Sequence, residues 1–252
     1  MKLSETAIEW LKNEFDKMGR DTAVIGISGG KDSAVVAALL AKAIGAENVF
    51  GVMLPNGEQK DIEDSKQVIR ELKINGLLVN IEDEYKASIK SADFFQNAFG
   101  VTTKSIEITS EAAINVAPRL RMTKLYAIAQ SLGELNKKAC VVGTGNKSEG
   151  YVGYCTKWGD MACDLNPIKD LWVHEVLQIG DELGFFPNII HKAPDDGLCG
   201  KTDEEKLGFS YRDVYEFVED KGTVAPEKVE KIKKMHNAAL HKINPVPYFK
   251  VK

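Results

Sequence analysis

The sequence is poor in the features that mark a membrane protein, a zinc protein or a nucleic-acid binder. It has four cysteines, Cys140, Cys155, Cys163 and Cys199, and no two stand at CxxC spacing. That argues against a structural zinc site and leaves free thiols in a reducing compartment. The longest clean apolar run, Ala34 to Ala41, is far shorter than the roughly 20 residues a membrane helix needs. The opening stretch Met1-Lys2-Leu3-Ser4-Glu5-Thr6 has no apolar leader core. Neither sign of charge dominates: 33 Lys and Arg face 37 Asp and Glu, a net charge of -4, well mixed along the chain. A broad basic face for nucleic acid is therefore not expected. These absences predict a soluble cytoplasmic protein that binds neither membrane nor nucleic acid. With 252 residues, 44% of them hydrophobic, the chain can bury one sizeable core. No repeat, low-complexity tract or linker divides it, so residues 1–252 read as one domain.

What is present is an alternation of periods. Residues 3–18 carry Leu3, Ala7, Ile8, Leu11, Phe15 and Met18 at helical spacing, and Gly19 ends that helix. Strands are predicted at 22–27, 48–54, 76–81 and 139–143. Helices are predicted at 33–44, 61–73 and 83–98. Another spans 105–133, broken at Pro118, where a proline removes an amide donor. Further helices are expected at 172–183, 210–220 and 225–242. Helices with polar outer faces alternate with strands that are apolar throughout. That pattern belongs to an α/β fold, a doubly wound parallel sheet with helices on both faces. Two long stretches, 145–167 and 187–202, have weak periodicity and read as functional loops.

The chemistry begins where the first strand ends. Thr22 to Ile27 runs into Ser28-Gly29-Gly30-Lys31-Asp32-Ser33, and a helix opens there. Strand, glycine turn and helix aim backbone N–H groups at a phosphate. The glycines allow close approach, and Ser28 and Ser33 can add hydroxyl donors. Asp32 would repel a phosphate directly, so its sensible task is to hold Mg²⁺. The Walker A loop requires Ser or Thr where Asp32 stands, and the Gly-x-Gly-x-x-Gly fingerprint is not met by Gly26, Gly29 and Gly30.

This loop resembles the pyrophosphate loop of the N-type ATP pyrophosphatases, whose adenine-nucleotide α-hydrolase-like fold is Rossmann-like. Further segments narrow the resemblance to the NAD synthetases. They are Asn115 to Met122 with Tyr126 to Ala129, Gly143 to Glu149, Thr156 to Asp160, Asp164 to Pro167, Lys201 to Glu205, and His241-Lys242 with Pro245. They occur in family order from about residue 5 to residue 249.

The resemblance implies ATP-dependent amidation of deamido-NAD by ammonia through an adenylated intermediate, giving NAD, AMP and diphosphate. It implies ATP contacts at Gly26, Ile27, Ser28, Gly29, Gly30, Lys31, Asp32, Ser33 and Thr144. It implies Mg²⁺ on Asp32 and Glu149, and deamido-NAD on Arg119, Lys157, Asp164, His241 and Lys242. Lys192, with Asp32, is the expected catalytic group, and a homodimer is the expected assembly. Two positions depart from the family pattern: Val173 replaces a common lysine, and Asp195 a common Ser or Thr. Trp158, inside the substrate segment, can stack on a base or pack beneath the loop. A tRNA-thiolating relative would need paired cysteines and a basic face, which the chain lacks. A nucleotide sensor without turnover would not need a second metal carboxylate.

Overall fold

Each strand of the main sheet is reached through a helical connection that returns the chain to the same end, so all of its pairings are parallel. The computed structural model describes residues 2–90, 92–96, 102–192 and 203–251. The first half runs α1 (Leu3–Met18), β1 (Thr22–Gly26), α2 (Lys31–Ile44), β2 (Val49–Met53), α3 (Ile62–Leu72), β3 (Asn75–Leu78) and α4 (Glu82–Ser88). It continues through β4 (Ala92–Gln96), β5 (Thr102–Ile106), α5 (Ser110–Ile114), α6 (Val116–Ser131) and β6 (Ala139–Val142). The rest is helical: α7 (Lys147–Val152), α8 (Val173–Leu183), α9 (Pro187–Ile190), α10 (Asp203–Leu207), α11 (Tyr211–Val218) and α12 (Pro226–Ile243).

The four-stranded sheet has the order β3-β2-β1-β6. Winding proceeds outward from β1 to β3, then jumps back across β1 to β6. The carboxyl ends of β1 and β6 therefore form a topological switch point, where the loops diverge and leave a crevice. Register places Ile25 beside both Gly51 and Val142, so the loops after Gly26 and Val142 start level with each other.

Alternation along the strands fills two cores. Ala23, Ile25, Ile27, Cys140 and Val142 pack with Leu11, Phe15, Leu39, Val176 and Ile190 of α1, α2, α8 and α9. Val24, Val52 and Val141 pack with Ala129 and Leu132 at the end of α6. Full burial of each large aliphatic side chain contributes about 1.5–3 kcal/mol. β1, β2 and β6 are covered and read as apolar runs, the pattern the sequence shows, whereas the edge strand β3 is largely exposed. A third cluster stands off the sheet: Val152, Trp172, Leu207, Phe209, Tyr211, Val214 and Ile232 join α11 and α12 to α7. It carries the end of α12 back toward the crevice.

Two predicted helices are corrected. The helix expected over 83–98 stops at Ser88, and residues 92–96 pair antiparallel with 102–106. The β-favouring residues Phe94, Phe95, Thr102, Thr103 and Ile106, with Gly100 between the two runs, outweigh a weak helical period. The helix expected over 105–133 begins only at Ser110 and divides at Asn115, not at Pro118. Pro118 sits in the first turn of α6, where its missing donor is not needed. The segments expected as loops also contain α7 and α9. Among the described residues no helix is long and apolar enough to cross a membrane.

Candidate functional site

The phosphate loop is held in shape by its own short side chains. Ser28 Oγ accepts the Gly30 amide at 3.2 Å, and Ser33 Oγ accepts the Ser28 amide at 3.3 Å while donating to the Gly30 carbonyl at 3.0 Å. The hydroxyls proposed as phosphate donors thus also brace the turn. Gly29 has φ +86°, and a Cβ there would lie 3.1 Å from the Asp61 carbonyl oxygen. Only glycine meets both demands without strain. α2 starts directly behind, its N-terminal amides directed at the crevice.

Asp32 is tied from two sides: Lys31 Nζ lies 2.8 Å from Oδ2, and Asn146 Nδ2 donates to Oδ1 at 3.1 Å. Asn146 caps α7, accepting the Glu149 amide at 3.1 Å, while its own amide donates to Glu149 Oε2 at 3.3 Å. One buried asparagine therefore links the two carboxylates singled out for magnesium. Among the described residues, no three His, Cys, Asp or Glu side chains gather to hold a cation unaided. Two carboxylates fit a hard cation that draws its other oxygens from phosphates and water. Thr144 stands half-buried two residues before Asn146, in the loop that leaves β6. Neither Asn146 nor its bridging role was singled out in the sequence. Its place three residues before Glu149, the spacing of a capping box, was the available signal.

The start of α3 packs directly against the loop. Gln59 Nε2 donates to the Ser28 carbonyl at 3.1 Å and to Asp61 Oδ1 at 2.9 Å. Lys192 Nζ reaches across from the end of α9 to Asp64 Oδ2 at 2.6 Å, with Asp61 Oδ2 at 4.0 Å. Lys192 thus stands beside the phosphate loop, on carboxylates that sequence reasoning missed.

Four of the five expected substrate residues converge on the segment after α7. Arg119 Nε donates to the Lys157 carbonyl at 3.3 Å, and Lys157 Nζ donates to the His241 carbonyl at 2.6 Å. Lys242 Nζ donates to the carbonyls of Gly153 and Cys155 at 2.8 and 2.7 Å. Gly153 has φ +68°, and a Cβ there would fall 2.3 Å from Ala239 Cβ, so α12 packs onto bare backbone. Thr156 Oγ1 donates to Asn115 Oδ1 at 2.8 Å, fastening the segment to the break between α5 and α6. Trp158 is 57% exposed in a left-handed conformation, φ 61°, with Lys157 Nζ 5.7 Å from its ring centre. Its ring does not pack beneath the loop.

Asp164 does not join this network. Its Oδ2 accepts the Val141 amide at 2.7 Å and its Oδ1 the Tyr126 hydroxyl at 3.1 Å, where residues 164 and 165 bond along the outer edge of β6. Burial, reinforced by the Asp164 charge, pushes the Tyr126 hydroxyl above its ordinary range. Val173 opens α8 and packs in the third cluster, with no charge to offer. Asp195, Cys199 and the segment from Lys201 to Thr202 lie outside the described residues. Cys140, Cys155 and Cys163 are free thiols, and burial pushes Cys140 up to about 12 and Cys155 up to about 11.

Comparisons with known proteins agree with this geometry. A family model described as NAD synthase matches residues 3–246. An NH(3)-dependent NAD(+) synthetase of Carboxydothermus hydrogenoformans is 36% identical over 241 residues, 95% of this chain and 93% of the relative. One from Thermococcus kodakarensis is 40% identical over 209 residues, 82% of this chain and 76% of the relative. Among solved structures, the NMN synthetase of Francisella tularensis superposes with a TM-score of 0.82 at 31% identity, covering 98% of this chain and 97% of the other. With the family model spanning nearly the whole chain and the phosphate loop at the switch point of a parallel sheet, the chain belongs to the NAD synthase family.

Proposed function

We propose that this chain amidates the nicotinate carboxylate of deamido-NAD with ammonia at the expense of ATP. A carboxylate cannot expel oxide, so ammonia alone does not react with it. Attack of a carboxylate oxygen on the α-phosphorus of ATP displaces diphosphate and leaves an acyl-adenylate. Ammonia then attacks the carbonyl carbon, AMP departs with the bond electrons, and the nitrogen sheds a proton. The observation that carries the reading is the Asp32–Asn146–Glu149 bridge, which sets two carboxylates beside a phosphate loop.

In this reading Gly26, Ile27, Ser28, Gly29, Gly30, Lys31, Ser33 and Thr144 receive the nucleotide, and Asp32 and Glu149 hold Mg²⁺. Bound there, the cation would offset negative charge on the phosphates. Lys192 stabilises charge at the α-phosphate. Arg119, Lys157, His241 and Lys242 hold deamido-NAD, with Asp164 at the edge of β6 as a ribose or amide acceptor. α7 joins the two halves, with Asn146 and Glu149 at its start and Gly153 just past its end. Six residues of helix span roughly 9 Å, which sets the spacing between Glu149 and the substrate segment.

Free ammonia is the nitrogen source in this reading. A glutamine-hydrolysing thiol must ionise, and burial disfavours the thiolate at Cys140, Cys155 and Cys163. Rate should therefore rise with pH as ammonium yields neutral ammonia, and glutamine should not replace it. The test is NAD formation from deamido-NAD, ATP and Mg²⁺ with ammonium or with glutamine. NAD formed equally well from glutamine in ammonia-free buffer would overturn this reading. The likeness to an NMN synthetase favours a second reading, the same amidation on a mononucleotide. Comparing kcat/KM for the mononucleotide and the dinucleotide separates the two.

We further propose that the chain works as one cytoplasmic domain in a homodimer. Beside α6 lies a hollow of about 420 Å³ lined by Val79, Ala127, Ile128 and Leu135 among others, and Leu135 is 67% exposed. A second copy would cover it. Light scattering that gave a monomer at micromolar concentration would contradict the dimer.

A further inference from the structure

We propose that Asp64, with Asp61 behind it, is the positioning residue for Lys192: it seats the lysine beside the phosphate loop before ATP arrives. The inference rests on the catalytic reading of Lys192 given above. Lys192 Nζ lies 2.6 Å from Asp64 Oδ2 across 128 residues of sequence, so this ion pair is a tertiary contact. Asp61 Oδ2, at 4.0 Å, adds a second carboxylate to the seat.

The seat is built into the phosphate loop. A Cβ on Gly29 would lie 3.2 Å from Asp64 Cβ and 3.1 Å from both the Asp61 carbonyl and Ser65 Oγ. Gln59 fastens the same turn by donating to the Ser28 carbonyl and to Asp61. Asp64 packs closely against the loop, so a lysine held by Asp64 is held beside the loop.

Charge gives the seat its purpose. Two carboxylates beside a site for triphosphate would repel it, and Lys192 offsets that repulsion in the free protein. With its side chain 40% exposed, the lysine can swing to a phosphate oxygen. Seating a long, flexible side chain in advance removes part of the ordering cost from the reacting complex.

The test is turnover of Asp64→Asn, Asp64→Glu, Lys192→Met and the double variant Asp64→Asn/Lys192→Met, with deamido-NAD, ATP and ammonium. Asp64→Asn should lower kcat roughly 10- to 100-fold, the scale of a misplaced group, and leave the KM for ATP within about threefold. Asp64→Glu should recover part of the loss. The double variant should be no slower than Lys192→Met, because both changes disable one device. A double variant slowed by the product of the single effects, or full kcat in Asp64→Asn, would overturn the proposal. A second readout is independent of turnover: acetylation of Lys192 by an amine-reactive ester, followed by mass spectrometry in ligand-free protein. Lys192 should be modified faster in Asp64→Asn than in the wild type, and equal rates would show that Asp64 is no seat. Absence of NAD formation by the wild type would sink the reading of the reaction, while the acetylation rates would still decide the contact.

Discussion

Inside the phosphate loop, partners are two to five residues apart: Ser28 with Gly30, Gly30 with Ser33, Ser28 with Ser33. Around the substrate segment they are 38 to 89 residues apart, as Arg119 meets Lys157, Thr156 meets Asn115, Lys157 meets His241, and Lys242 meets Gly153 and Cys155. The loop itself is a local device, set by one strand end, two glycines and a helix start, while Gln59 and Asn146 tie it to segments farther along the chain. The substrate side exists only once α12 has packed on α7 through the third core. Damage to the first should be chemical and leave the fold alone, whereas damage to the second should act through loop placement.

The largest effect should come from the metal carboxylates. Asp32→Ala or Glu149→Ala should lower turnover at least about 100-fold, the order found when a transition-state charge stabiliser is removed. Circular dichroism and deamido-NAD binding should stay near wild type. Loss of deamido-NAD binding in either variant would show that the halves are not separable in this sense.

Gly29→Ala should come next. Its φ of +86° strains any side chain, and the 3.1 Å approach to the Asp61 carbonyl makes the fit tight. Strain of about 1–3 kcal/mol would be relieved by moving the loop, raising the KM for ATP about tenfold or more. The KM for deamido-NAD should not follow it. Lys242→Met is the mirror experiment. It keeps the apolar stem and removes the donors to Gly153 and Cys155, each a charge-assisted bond worth about 1.5–3 kcal/mol. The KM for deamido-NAD should rise about tenfold and that for ATP stay unchanged. Equal rises in both would erase the distinction between the two sides.

How far each region could be read from the sequence follows the same division. The strand at 22–27, the loop to Ser33 and the covered parallel sheet were legible because their signals are contiguous. Asp32 and Glu149 were named, but Asn146 between them was not, since a cap that also reaches a residue 114 positions away leaves no local trace of that second contact. Asp61 and Asp64 were missed because acidic residues at a helix start read as ordinary helix-start acids, and Gln59 because a lone glutamine ahead of a helix carries no signal of its own. The β4–β5 hairpin was misread because short strands of mixed composition lose to helical periodicity in a window of that length.

The smallest effect lies far from both sides. Glu182 on α8 accepts the Ser4 amide at 2.8 Å and a Gln178 donor at 2.8 Å, which hold its carboxyl down at about 2. A carboxyl lowered on folding adds stability above its unfolded value of 4.5, and that stability is lost as pH falls toward 2. Glu182→Gln should flatten this part of the acid-unfolding curve without changing the KM for either substrate. A wild-type curve retained between pH 5 and 2 would remove Glu182 from the docking of α1.

The most direct measurement is exchange of labelled diphosphate into ATP with no ammonia present. Adenylation of the substrate carboxyl predicts exchange that requires ATP, Mg²⁺ and deamido-NAD together, and that Asp32→Ala abolishes. Exchange at full rate without deamido-NAD, or no exchange in a preparation that makes NAD once ammonium is added, would contradict it.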